Sequence, residues 1–175
     1  IDYQLATDGL WELDAMFEFL VSRTAKGSKG QFFTPRHAID LAIGMLDPAP
    51  DATVCDPACG SGGFLLAAAA AGCARLFGFD LDARATRVAR LLLHASRSHG
   101  QIHCLDSLRP GVLESAYDGL FDVIATNPPF AGDVREEALL SSYEVSGGKP
   151  VERDVLFVER CIKLLKPGGR MAMVL

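Results

Sequence analysis

No stretch of this 175-residue chain stays apolar for the roughly 20 residues that a membrane helix needs; Gly and charged residues interrupt every run well short of that. The opening segment lacks the charged, apolar, small-residue order of a secretory leader, so a cytoplasmic protein without a membrane anchor is expected. The five cysteines, Cys55, Cys59, Cys73, Cys104 and Cys161, include no CxxC pair, and no His stands at zinc-finger spacing. They read as free thiols packed as small hydrophobes in a reducing compartment, and no metal site is expected. Internal repeats and low-complexity tracts are also missing. So is positive charge: 17 Lys and Arg against 22 Asp and Glu leave a net charge of −5. Isolated nucleic-acid binders are usually basic, so any phosphate-gripping charge must lie mostly elsewhere.

What is present is ordinary globular usage, 49% hydrophobic and 22% charged, which excludes a disordered tail, a collagen-like repeat and a coiled-coil rod. The length suits one domain or part of one. The Ile1 start and the apolar ending at Leu175 read as a piece of a longer protein. Residues 1–48 read as a helical lead-in and 49–175 as the core domain. Leu10, Leu13, Met16, Phe17, Leu20 and Val21 recur at helical spacing over 8–24. After Lys26 to Gly30, Thr34-Pro35 reads as the N-cap and first residue of a second helix with apolar positions Ala38, Leu41, Ala42 and Met45.

Beyond Pro50 the pattern alternates. Strands are expected at 52–56, 75–79, 102–105, 121–126 and 171–175. Helices are expected at 63–71, at 83–98 with Val88, Leu91, Leu92 and Ala95 on one side, and at 155–165, stopped by Lys166-Pro167-Gly168-Gly169. Polar, Gly-rich residues 131–150 read as a loop, either a plain linker or a flap over a bound group. Alternating strands and helices imply an α/β, doubly wound, mostly parallel sheet. Such sheets bind ligands outside the carboxyl ends of their strands. Those ends are Asp56, Asp80, Asp106 and Asn127: three carboxylates and a carboxamide in order. Asp and Asn also start turns and cap helices, but four such endings in order, two inside unusual strings, are a poor match to chance.

The first strand runs into Asp56-Pro57-Ala58-Cys59-Gly60-Ser61-Gly62-Gly63-Phe64. Glycines let the backbone approach a ligand, and the following helix offers free N–H groups to an anion. Gly60 and Gly62 give GxG, but Leu65 stands where a dinucleotide fingerprint has its third small residue, which argues against NAD. Asp80, 24 residues after Asp56, sits near the spacing of a carboxylate that takes ribose hydroxyls and repels a 2′-phosphate. Asp82 reads as the start of the next helix. Asp106, with Ser107 beside it, can accept from the amino group of a cofactor adenine, or cap a helix over 107–116.

Asn127-Pro128-Pro129-Phe130 ends the fourth strand. Two prolines fix φ and remove two donors. The Asn oxygen and the Pro128 carbonyl then form two rigid acceptors, with an aromatic ring beside them. That suits a planar amino group, such as that of adenine, whose lone pair must be localised before it attacks. Fixed acceptors do this by placement and electrostatics. Phe130 can stack on the base, and a methyl sulfonium is the natural electrophile.

These strings resemble the gamma class of adenine-specific DNA methyltransferases, most nearly the modification subunit of type I restriction–modification systems. The resemblance covers nearly the whole chain and includes the gamma order of its parts. It implies a Rossmann-like methyltransferase fold, here truncated at the fifth strand. It implies S-adenosyl-L-methionine as cofactor, S-adenosyl-L-homocysteine as product, double-stranded DNA with a flipped adenine as substrate, and specificity and restriction subunits as partners. Residues 30–36 resemble the family's segment that contacts the methionine part of the cofactor, which implies roles for Gln31, Phe33 and Thr34. The loop likeness implies Asp56, Ala58, Gly60, Ser61, Gly62 and Gly63; the ribose and adenine contacts would be Asp80, Leu81, Asp106 and Ser107. Asn127 to Phe130 would be catalytic. Asp80 stands where the family often has Glu, and Phe130 where many relatives have Tyr. The same tetrapeptide also serves methyltransferases of release-factor glutamine or RNA guanine, and an inactive cofactor-binding module is the third reading.

Overall fold

The computed structural model describes residues 34–130 and 132–175, together with Gly9 and Glu12. The rest of the helix expected over 8–24, and the candidates Gln31 and Phe33, lie outside the described residues. Helix α1 (Arg36–Leu46) leads into β1 (Thr53–Asp56), α2 (Gly63–Ala70), β2 (Arg75–Asp80), α3 (Ala83–Ala95) and β3 (Gly100–Cys104). A short α4 (Glu114–Tyr117) precedes β4 (Phe121–Thr126). Then come β5 (Asp133–Val134), α5 (Glu137–Leu140), a 3-10 turn at Glu144–Ser146, β6 (Val151–Glu152), α6 (Arg153–Leu164) and β7 (Leu165–Met173). Five strands form one parallel sheet in the order β3-β2-β1-β4-β7. The reversal of strand order falls between β1 and β4, where an open sheet leaves a crevice.

Both faces of the sheet are covered. Val54, Val123 and Ala125 face a core shared with Ile39, Ile43, Phe64 to Ala68, Leu92 and Leu93 of the first three helices. Cys55, Phe121 and Ile124 face the other layer with Leu113, Cys161 and Leu164. Adjacent strand residues thus serve opposite layers, as the period of two requires. Helix α2 is apolar nearly all round because it packs against α1, α3 and the sheet at once. Its run of alanines keeps those approaches close. Among the described residues no helix is long and apolar enough to cross a membrane.

The structure corrects several expectations. Helix α1 buries Ile39, Ile43 and Leu46, while Leu41 and Met45 are exposed. Its sequence carries two apolar stripes, and the stripe nearer α2 wins. Helix α3 likewise exposes Leu91 and buries Ala85, Ala89, Leu92 and Leu93. Pro35, not Thr34, is the N-cap of α1, with no side-chain bond. Asp82 does cap α3, accepting from the Arg84 N–H at 2.7 Å. Of the five thiols, Cys104 is exposed and the other four are buried. Lys166 to Gly169 does not precede a fifth strand but bulges within it: Phe121 pairs with Leu165 and Val123 with Arg170, so Asp122 alone faces four residues. Asp122 latches this bulge, accepting from Lys166 Nζ at 2.8 Å and from the Thr53 N–H at 2.8 Å.

The stretch after the tetrapeptide is not a linker. β5 and β6 pair antiparallel, and Val134, Leu139, Leu140 and Tyr143 pack on Leu108, Leu156 and Phe157. The clamp is polar. Arg160, 1% exposed, donates to Tyr143 Oη at 3.0 Å and to Glu114 Oε1 at 2.6 Å, with its guanidinium 5.3 Å from the Tyr143 ring centre. Tyr143 Oη in turn donates to the Leu108 carbonyl at 2.8 Å. Glu159 accepts from the N–H groups of Glu144 and Val145.

Candidate active site

Parallel strands β1 and β4 are neighbours, so the residues that end them emerge side by side. Between them lies a small cleft of about 60 Å3 lined by Thr34, Ile39, Asp56, Ala58, Cys59, Gly60, Ser61, Gly63, Phe64 and Asn127. Seven sequence candidates are thus brought together: Thr34, Asp56, Ala58, Gly60, Ser61, Gly63 and Asn127. Ile39, Cys59 and Phe64 complete the lining, and the sequence reading did not single them out. The signal for Ile39 and Phe64 was their placement just after Thr34-Pro35 and Gly63.

The loop works because of backbone sign. Gly60 has φ +52° and Gly62 φ +95°, both in the left-handed region. A Cβ at Gly62 would also lie 3.1 Å from Ala89 Cβ. Gly62 is the N-cap of α2 with no side-chain cap bond, so the first N–H groups of that helix are not capped by a side chain.

Asp80 acts on this loop from behind. Its Oδ2 accepts from the Gly60 N–H at 2.8 Å and its Oδ1 from the Asp82 N–H at 2.8 Å. Burial pushes its carboxyl up, and the backbone donors hold it down in part. Asp80 therefore shapes the glycine turn, with lone pairs beyond these two bonds. Asp56 is 1% exposed. Its Oδ1 accepts from the Ala58 N–H at 3.0 Å and from the Thr126 hydroxyl at 2.7 Å. Burial pushes this carboxyl up to about 7, against those two bonds. Burial, with Asp56 and Asp80 nearby, pushes the Cys59 thiol well up, so it stays a neutral thiol.

Asn127 is half-buried, and its Nδ2 donates to Thr34 Oγ1 at 2.9 Å. The hydroxyl expected to cap α1 is used here instead. This bond sets the carboxamide so that Oδ1 is the end away from Thr34. Pro128 is buried; Pro129 and Phe130 are half-buried. Asp106 lies outside the cleft lining: its Oδ1 accepts from the Leu108 N–H at 3.0 Å, and Arg109 stands 3.9 Å from its Oδ2. Ser107 is buried and donates to the Pro57 carbonyl at 2.5 Å, tying the third strand end to the loop. Leu81 is 66% exposed. Gly62 is buried behind the lining.

S-adenosylmethionine fits this donor set. Uncapped N–H groups at a helix N-terminus match an amino-acid carboxylate, and the lone pairs that Asp80 keeps beyond its two backbone bonds can accept from hydroxyls. A parallel 3-2-1-4 sheet with a glycine turn at the switch point is the fold of the Rossmann-like methyltransferases. A putative class I S-adenosylmethionine-dependent methyltransferase from Listeria monocytogenes shares it, with a TM-score of 0.73 at 16% identity over 97% of this chain and 54% of that one. Residues 12–175 match the family described as N-6 DNA Methylase, and the chain belongs to that family. The EcoEI methylase subunit of a type I restriction enzyme from Escherichia coli is 28% identical over 93% of this chain. The chain spans 36% of that relative's length. The modification subunit of a putative type I restriction enzyme from Vibrio vulnificus YJ016 superposes with a TM-score of 0.77 at 26% identity, covering 96% of this chain and 39% of that one. The family resemblance drawn from the glycine loop and the tetrapeptide is borne out.

Proposed function

We propose that this chain is the catalytic core of a DNA methyltransferase that moves a methyl group from S-adenosyl-L-methionine to N6 of adenine, leaving S-adenosyl-L-homocysteine. The observation that carries this reading is the Asn127 carboxamide in one cleft with Gly60, Ser61 and Gly63, its amino end held by Thr34. When bound, the cofactor supplies an electrophilic methyl on sulfur. The chain's residues do the rest. Asn127 Oδ1 and the Pro128 carbonyl accept from the two hydrogens of the amino group and turn its lone pair toward the methyl. Two prolines keep those acceptors from relaxing. Phe130 stacks on the base, which has to leave the duplex stack at a cost of a few kcal/mol. The glycine turn, the start of α2 and Thr34 hold the cofactor's methionine end, and the family resemblance adds Gln31 and Phe33 to that role. Asp80 and Leu81 serve its ribose side, and Asp106 and Ser107 its adenine side.

The substrate is double-stranded DNA in the cytoplasm. Relatives named as methylase subunits of type I restriction enzymes support specificity and restriction subunits as partners. The net charge of −5 agrees with most of the DNA grip coming from other parts of such an assembly. The test offers plasmid DNA and a release-factor protein, with labelled cofactor, to the full-length gene product assembled with its specificity subunit. Label in DNA adenine is the expected result. Label in the release factor alone, or in neither with cofactor bound, overturns the reading.

A further inference from the structure

The tetrapeptide is held to the glycine loop by more than the sheet. The β1–β4 ladder pairs Val54 with Val123 and Cys55 with Ile124, and no pair beyond Ile124 continues it. The next residue toward the cleft is Asp56 on β1, and on β4 it is Ala125, followed by Thr126. There a side-chain bond takes over: Thr126 Oγ1 donates to Asp56 Oδ1 at 2.7 Å, and both residues are sealed from solvent, at 0% and 1% exposure. The same oxygen accepts from the Ala58 N–H, inside the loop. Thr126 directly precedes Asn127, and its carbonyl accepts from the Val174 N–H at 3.0 Å. One carboxylate oxygen is therefore the common anchor of the cofactor loop and the Asn-Pro-Pro corner.

We propose that Thr126 is a positioning residue: its hydroxyl sets the distance between Asn127 and the glycine loop by pinning the end of β4 to Asp56. Thr126 is fully buried and outside the cleft lining, and its hydroxyl is spent on Asp56, so it acts through the residues it holds. Its effect belongs in the chemical step. A shift of the reacting groups by about 1 Å costs up to ~100-fold in rate. Thr34 holds the carboxamide from the opposite side, so the corner is tethered twice, once to the loop and once to the segment before α1.

The inference rests on the methyl-transfer reading, and the experiment separates the two. The full-length gene product and its Thr126→Val, Thr126→Ala and Thr126→Ser variants are compared for transfer to DNA in complex with the specificity subunit, for cofactor affinity by calorimetry and for urea midpoint. Thr126→Val keeps the shape and removes the hydroxyl; Thr126→Ala cannot clash and reads the same loss should the Val variant not fold. The expected result is kcat down by about 10- to 100-fold in both, with KM and Kd for the cofactor within about threefold, and return to near wild-type kcat in Thr126→Ser. Val and Ala variants with wild-type kcat overturn the positioning role, as does a loss that Ser does not rescue or one carried by cofactor affinity alone. A wild-type complex that binds cofactor yet methylates no DNA overturns the methyl-transfer reading itself.

Discussion

Asp56→Asn isolates one buried charge. The native carboxyl titrates at about 7, against 3.8 for the free group, because burial disfavours its charged form. The folded state thus holds this proton more tightly than the unfolded state. Its contribution is fully present below pH 3.8 and is lost as pH rises toward 7. At 1.36 kcal/mol per unit, the whole loss is on the order of 4 kcal/mol, and about 2 kcal/mol of it falls between pH 5.5 and 8. Asparagine does not ionise, and its Oδ1 can still accept from the Ala58 N–H and the Thr126 hydroxyl. The variant should therefore gain on the wild type by about 2 kcal/mol between those two pH values. Asp80, also pushed up by burial, slopes the same way in both proteins, and because its charge is the smallest of the causes acting on Asp56, most of that slope drops out of the comparison. Equilibrium urea unfolding at pH 5.5, 6.5, 7.2 and 8, at constant ionic strength, gives the two curves. Parallel curves would refute the buried, ionising Asp56.

Two other substitutions test the scaffold. Gly62→Ala and Gly72→Ala place a side chain at φ +95° and +97°, so each should cost about 1–3 kcal/mol in unfolding free energy. Only the first meets Ala89 and only the first starts α2 beside the cleft, so calorimetry should show weaker cofactor binding for Gly62→Ala and unchanged binding for Gly72→Ala. Arg160→Met removes the bonds to Tyr143 and Glu114 and should lower stability by about 2 kcal/mol, with Glu114 partly solvated and so not left a buried charge. Limited proteolysis should then cut within 132–152, and Arg160→Lys, which lacks the planar fork, should not restore protection.

Much of this site was legible because its chemistry is local in sequence. Strand β4 could be read end to end, as could the glycine turn, since a buried parallel strand and a left-handed loop each leave a compositional mark. The order of strand-end residues placed Asp56 and Asn127 in one cleft without any contact information. What could not be read depends on which surface meets which. Helix α1 carries apolar residues on two stripes, and only the position of α2 decides that Ile39 and Ile43 go inward. Thr34 was read as a cap because Thr-Pro starts helices; its use as the acceptor for Asn127 spans 93 residues of sequence and leaves no periodic trace. Asp80 was read by spacing as a ribose acceptor, whereas its bond to the Gly60 N–H follows from the turn's three-dimensional path. In 132–152 the apolar residues lack any regular period, because they are gathered around Arg160 and Tyr143 rather than along one face.

The most direct measurement is methyl transfer by Asn127→Ala in the full-length gene product assembled with its specificity subunit, with N6-methyladenine in DNA digests and cofactor affinity read on the same preparation. Transfer should fall by about 100- to 1,000-fold or more, as when one preorganised transition-state group is removed, while cofactor affinity stays within about threefold. Wild-type rates of N6-methyladenine formation by that variant would contradict a carboxamide acceptor as the source of catalysis.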